Sequence, residues 1–227
     1  MSTLTALTRL LHLASPALPV GAFSYSQGLE WAVECGRVKN EAEAGEWIAA
    51  LMTSSLAHCE LPALVAMMRA WRAGEVGEVA RLDAEFFATR ESMELRAETA
   101  QMGYSCARLL RELQEIPAFT RQALAGFEEL SFPAAWSAAA SAWALPPADA
   151  ATAYLWAWLE NQVMAAVKLV PLGQSAGQRL LCALSGRIPA IAEAALAIPE
   201  DQWHNFNPGL AWASAAHETQ YTRLFRS

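Results

Sequence analysis

The chain has 227 residues, of which 54% are hydrophobic and 17% charged, with nine tryptophans and a net charge of −7. That length allows one domain with a substantial core, and the composition excludes a disordered chain. No block of basic residues appears, which argues against nucleic acid and against an anionic membrane as main partners.

Leu4, Leu7, Leu10, Leu11 and Ala14 recur at helical spacing and predict a first helix that ends before Pro16. Arg9 and His12 interrupt this apolar run, which lacks a basic start, so Met1 to Leu13 does not read as a signal peptide. Ser15 to Ala22 is a rigid loop punctuated by Pro16, Pro19 and Gly21. Ser24 is expected to cap a short helix carrying Leu29, Trp31 and Val33, with Gln27 as its capping-box partner. Asn40 and Glu43 form a second capping box, before an apolar face of Trp47, Ile48, Leu51, Met52 and Leu56. His58-Cys59-Glu60 is expected to be a junction, because Pro62 suits the first turn of a new helix.

A helix to Gly74 and another over Val76–Phe86 follow. Glu91 to Leu113 is amphipathic, with Glu94, Glu98, Gln101, Arg108 and Glu112 expected on the wet face. Helices are predicted near 119–129 and 133–144, then Pro146-Pro147 and an N-cap at Asp149. Beyond the next helix come two short Ala/Leu helices and a start at Asn207-Pro208. Leu210, Ala213, His217, Tyr221 and Leu224 are expected to share one face of a terminal helix reaching Arg226.

The stretch from Ala148 to Val170 is apolar over almost its whole circumference and closes on Pro171-Leu172-Gly173. Such a helix belongs inside a core. Glu160, Asn161 and Lys168 nevertheless break it. Asn161 and Lys168 project in nearly the same direction, with Ala157 and Met164 beside them. Lys168 is one of two lysines, and its alternatives are an internal link to Glu160 or Asn161 and a contact with a partner. The expected fold is all-α: one domain of roughly ten helices around this central helix, without strands or repeats.

No catalytic constellation emerges. The four histidines lack metal-ligand spacing, and the cysteines form no CxxC. Gly173 to Gln178 lacks the strand and the Gly-Lys-Ser/Thr of a phosphate loop. No G-x-S-x-G is present. No stretch offers the ~20 uninterrupted apolar residues of a membrane span, and scattered cysteines fit a reducing cytoplasm. No enzyme activity, metal site or cofactor is expected. A helical enzyme or a small-molecule-binding protein with a tryptophan-lined pocket is the competing class.

Four motifs carry a family resemblance. Ser15-Pro16-Ala17-Leu18-Pro19-Val20-Gly21-Ala22-Phe23-Ser24-Tyr25-Ser26-Gln27-Gly28-Leu29-Glu30 resembles the signature of the UreF-type urease accessory proteins. Glu94-Leu95-Arg96 with Gln101-Met102-Gly103, and Val167 through Gln174, resemble its middle motifs, and His217 through Ser227 its end. Glu60 replaces the family's usual Asp, and Ala216 the Arg that commonly precedes His-Glu-Thr.

The resemblance implies a non-enzymatic, all-α, dimeric cytoplasmic chaperone for nickel insertion into urease. Such a protein would bridge the accessory protein UreD/UreH and the nickel-carrying GTPase UreG, influence the GTPase cycle, and dock on apo-urease. The chain would form one domain over 1–227 with a partner-binding segment at about 208–227. Candidate partner-binding residues are Phe23, Tyr25, Lys168, Pro171, Gly173, His217, Tyr221, Arg223, Leu224 and Phe225.

Overall fold

Caps written in the sequence start several of the helices. In the computed structural model, which describes residues 3–227, the Glu43 amide donates to Asn40 Oδ1 (3.0 Å) and the Lys39 amide to Glu43 Oε2 (2.7 Å). Ser92, Ser131 and Asn207 accept from the amides of Leu95, Ala134 and Leu210 in the same way. Met1 and Ser2, the beginning of the expected apolar run, lie outside the described residues.

The helices are α1 (Thr3–Leu13), α2 (Leu29–Glu34), α3 (Glu41–Leu51), α4 (Leu61–Ala73), α5 (Val76–Ala88), α6 (Met93–Glu112) and α7 (Ala118–Ala125). Then come α8 (Phe132–Ala142), α9 (Pro147–Leu169), α10 (Gln174–Ser185), α11 (Ile188–Leu196) and α12 (Pro208–His217). No strand occurs among the described residues.

Three local expectations change. Ser24 caps nothing: it ends a 3-10 turn, and α2 starts one turn later after Gly28, with Ser26 Oγ accepting from the Glu30 amide (3.3 Å). The N-cap of α9 is Pro146, leaving Asp149 as an acid in the first turn. At His58–Glu60 there is no break. Met52–Glu60 is π-helical and joins α3 to α4 in a 33-residue helix, Glu41–Ala73.

The widening has local causes. Thr53 Oγ1 and Ser54 Oγ donate to the carbonyls of Ala49 and Ala50 (2.9 and 2.7 Å), competing with the α-helical ladder. By length and mean hydropathy alone this joined helix could cross a membrane, although Thr53-Ser54-Ser55, His58 and Glu60 interrupt its apolar run. Yet 72% of its most apolar window is buried, which is how a core helix behaves.

Small residues let the helices approach. From Pro133 to Ala140 every residue of α8 is buried, between α4 and α6. The Trp71 indole N–H donates to Ala134 O (3.2 Å) and Ser141 Oγ to Met68 O (3.0 Å). Gly103 on α6 lies so near the α8 cap that a Cβ there would be 1.9 Å from Leu130 O.

The 23-residue α9 packs against α1, α2, α3, α4, α10 and α11. It is not enclosed on every side. Trp156 and Met164 are each more than a third exposed, on the side that carries Glu160 and Lys168.

Candidate functional site

The polar stripe of α9 meets its own chain. Asn161 Nδ2 donates to Tyr25 O (3.1 Å), and the Trp158 indole N–H donates to Gln27 Oε1 (2.8 Å). Lys168 Nζ lies 5.4 Å from the centre of the Phe225 ring, a cation–π contact. Neither Glu160 nor Asn161 pairs with Lys168 in the described contacts. Opposite the stripe, Gln27 and Gly28 both adopt left-handed backbone (φ 52° and 76°). A Cβ on Gly28 would stand 2.9 Å from the Ala213 Cβ of α12, so glycine is required twice over.

Helix α12 stops at His217, not at Arg226. The physical reason is a set of buried carboxylates that claim the amides a longer helix would need. Glu30 Oε1 accepts from the Leu224 amide (2.6 Å), and Oε2 from the Phe225 amide (2.8 Å). Each ring nitrogen of fully buried His217 faces a carboxylate: Nδ1 is 2.7 Å from Glu94 Oε2 and Nε2 is 3.1 Å from Glu30 Oε2.

Arg223 Nη1 donates to the other oxygen of Glu94 (2.8 Å). Farther along, the Arg226 amide donates to Ser24 O (2.8 Å), and the Ser26 amide and hydroxyl both donate to Ser227 O (2.7 and 2.5 Å). Glu98 closes the network, accepting from Ser227 Oγ (2.9 Å) and Gln27 Nε2 (2.8 Å). Glu218 accepts from the Met93 amide (2.8 Å) at the start of α6.

The candidate residues divide into two groups. Tyr25, His217 and Phe225 are buried and hold the tail in place. Burial and the Glu98 charge push the Tyr25 hydroxyl up, against the pull of Arg226. Phe23, Tyr221 and Leu224 are 68, 102 and 65% exposed. Lys168, Pro171 and Gly173 are also exposed, and Arg223 is half-exposed on its bond to Glu94. The expected single helical face of Leu210, Ala213, His217, Tyr221 and Leu224 does not exist.

Sequence reasoning missed Glu30, Glu94, Glu98, Ser26 and Ser227 as the residues that seat the tail. Glu94 and Glu98 were expected on the wet face of α6, but the tail covers that end, and Glu98 is 7% exposed. Charged positions four apart opposite an apolar face are the pattern of an ordinary solvated surface, so no local signal distinguished them.

Beside the tail lies a cleft of about 380 Å³ between the Ser15–Phe23 loop, α6 and α9. On its lining the Tyr154 hydroxyl donates to Glu60 Oε1, and Arg90 pairs with Glu60 Oε2 at 3.4 Å. Burial, together with the Glu60 charge, pushes the Tyr154 hydroxyl well above its ordinary value. Burial also pushes the Glu98 carboxyl up to about 7, against the hydrogen bonds from Gln27 and Ser227. Among the described residues no three His, Cys, Asp or Glu side chains stand together as a metal site.

Comparison with known proteins gives this arrangement its context. A family model described as UreF matches residues 38–185. The chain is 59% identical over 223 residues to the urease accessory protein UreF of Azoarcus sp. (strain BH72), covering 97% of this chain and 95% of that one. It is 56% identical to the same-named protein of Dechloromonas aromatica (strain RCB), over the full length of both. Against the bifunctional urease accessory protein UreEF of Bordetella bronchiseptica it is 47% identical over 97% of this chain and 52% of that protein. With the family model covering most of the helical frame and the relatives extending over the loop and the tail, the chain belongs to the UreF family of urease accessory proteins, which are not enzymes.

Proposed function

We propose that the chain is an assembly adaptor for nickel insertion into apo-urease, joining UreD/UreH to the GTPase UreG and biasing the GTPase cycle. One observation carries this reading: Tyr221 and Leu224 are presented to solvent by a tail whose neighbours Phe225 and Ser227 are locked in place. A rigid backbone that holds exposed apolar side chains binds without first being ordered, which favours affinity. The partner-binding segment is therefore assigned to about 208–227, with Phe23 on the neighbouring loop.

Lys168 is exposed and makes no ion pair among the described residues, so its ammonium is available to a carboxylate or phosphate of the GTPase at the Pro171–Gly173 break. The UreEF relative joins two accessory functions in one chain, which supports close association among accessory proteins. Self-association is assigned to α1, where Leu4, Leu7 and Leu11 form an exposed apolar stripe. Free thiols at Cys35, Cys59, Cys106 and Cys182 support residence in the cytoplasm.

Co-purification with UreD/UreH, UreG and urease subunits tests the proposal. Tyr221→Ala combined with Leu224→Asp should abolish capture of UreD/UreH while the melting temperature stays unchanged. Lys168→Ala should leave that capture intact and weaken GTPase coupling. Undiminished capture by the tail double variant would refute the assignment of the segment.

A further inference from the structure

The cleft is built between two motifs of which the proposed partner contacts use only Phe23 and Lys168: the Pro/Gly loop, which lines one side from Ser15 to Phe23, and the α9 stripe on the other. Ala157, Glu160, Asn161, Met164 and Lys168 of that stripe all face it. Its volume of about 380 Å³ falls in the range of small-molecule sites, roughly 300–1,000 Å³. The walls include Leu18, Val20, Leu95, Met102, Phe132 and Trp158.

The charges on this lining do not balance locally. Glu60, Glu98 and Glu160 line it together with Arg90 and Lys168. Arg90 is paired with Glu60, and Lys168 rests on Phe225. Glu98 has only neutral donors, Gln27 and Ser227, and no cation pairs with Glu160 among the described residues. Burial pushes both carboxyls up, Glu98 also against the pull of the Arg90 charge, so a cation brought beside them would favour their charged forms. In addition, the indole N–H of Trp136, a cleft-lining residue 1% exposed, finds no acceptor.

We propose that the cleft binds a small organic ammonium ion with an aromatic or branched apolar body and one oxygen acceptor. The ammonium lies between Glu160 and Glu98, the body against Trp158, Phe132 and Leu18, and the oxygen receives the Trp136 N–H. Among the described residues no group of three His, Cys, Asp or Glu side chains stands ready for a metal ion, which leaves an organic cation as the fitting occupant. The shared cleft wall couples ligand and adaptor surfaces, since Phe23 and Lys168 belong to both.

Tyramine is the probe, with tyrosol as its neutral isostere and 4-hydroxyphenylpropionate as its anionic counterpart. Binding to the full chain is measured by calorimetry and tryptophan fluorescence. Tyramine should bind at least roughly tenfold more tightly than either comparator, a difference of about 1.4 kcal/mol. Glu160→Gln, at a half-exposed position, should reduce that preference, and Ala157→Phe should block binding by placing a ring in the cleft. Circular dichroism of both variants separates blocked binding from unfolding. Equal binding of all three probes, no binding of tyramine at 5 mM or roughly so, or full binding by a folded Ala157→Phe variant would each overturn the proposal. A titration with Ni²⁺ alone that shows the same Glu160-dependent fluorescence change would overturn it as well.

Discussion

Glu30 is the residue on which the seated tail depends most, and Glu30→Ala tests this. Its side chain is nearly buried, accepts from the Leu224 and Phe225 amides, and faces His217 Nε2. A hydrogen bond to a charged acceptor contributes about 1.5–3 kcal/mol net, and a stranded buried donor costs about 1–3 kcal/mol. Two amides and a ring nitrogen left in place would therefore lose on the order of 4–8 kcal/mol. Undocking the tail lets all three reach water, so the loss is limited to the free energy of docking. The expected result is local release with the helical frame retained.

Hydrogen exchange should show at least a roughly hundredfold loss of protection at the Leu224 and Phe225 amides, about 2.7 kcal/mol, with core amides of α4 and α8 changed far less. Limited proteolysis should then cut within 218–227. Glu30→Gln keeps an acceptor oxygen and should fall between the two. Unchanged protection at Leu224 and Phe225 in a folded Glu30→Ala protein would refute the assignment of Glu30 as the anchor. Uniform loss across α4 and α8 would refute the idea that the tail opens as a separate unit.

Gly103→Ala places a methyl 1.9 Å from Leu130 O, so it should lower stability by about 3 kcal/mol or more, read by chemical denaturation. An unshifted midpoint would contradict the close α6–α8 approach. Glu98, raised to about 7 when folded, favours the protonated form; its contribution is fully present below its unfolded value and is lost as pH rises through about 7. Stability of the parent relative to Glu98→Gln should accordingly fall between about pH 4.5 and 7, and a flat difference would refute this sign. Burial pushes the Cys106 thiol up to about 12 and raises Cys59, so alkylation of the native protein should modify Cys35 and Cys182 first. Mass spectrometry of labelled peptides reads that order.

Local chemistry suffices to read much of the frame. Asn40 with Glu43, and Asn207 with Pro208, mark helix starts because a cap needs only a side-chain oxygen and the next few amides. The apolar periodicity likewise identifies the α4, α6 and α9 faces, and the long loop and tail motifs identify the family. The π-helical Met52–Glu60 stretch was not legible, because Pro62 suits a helix start equally well whether or not a turn precedes it.

The tail shows the division most clearly. His217, Tyr221 and Leu224 repeat at helical spacing, so the sequence by itself favours one continuing helix. Glu30, Glu94 and Glu98 lie far away in the chain, and their competition for tail amides and the His217 ring exists only once α2, α6 and α12 converge. The same convergence covers the polar end of α6 and sets the α9 stripe beside the Pro/Gly loop. The sequence by itself determined the helical class, the caps at Asn40 and Asn207, and the family. Tertiary structure alone decided which polar residues face water and which hold the tail, because that depends on distances between residues up to about 200 positions apart.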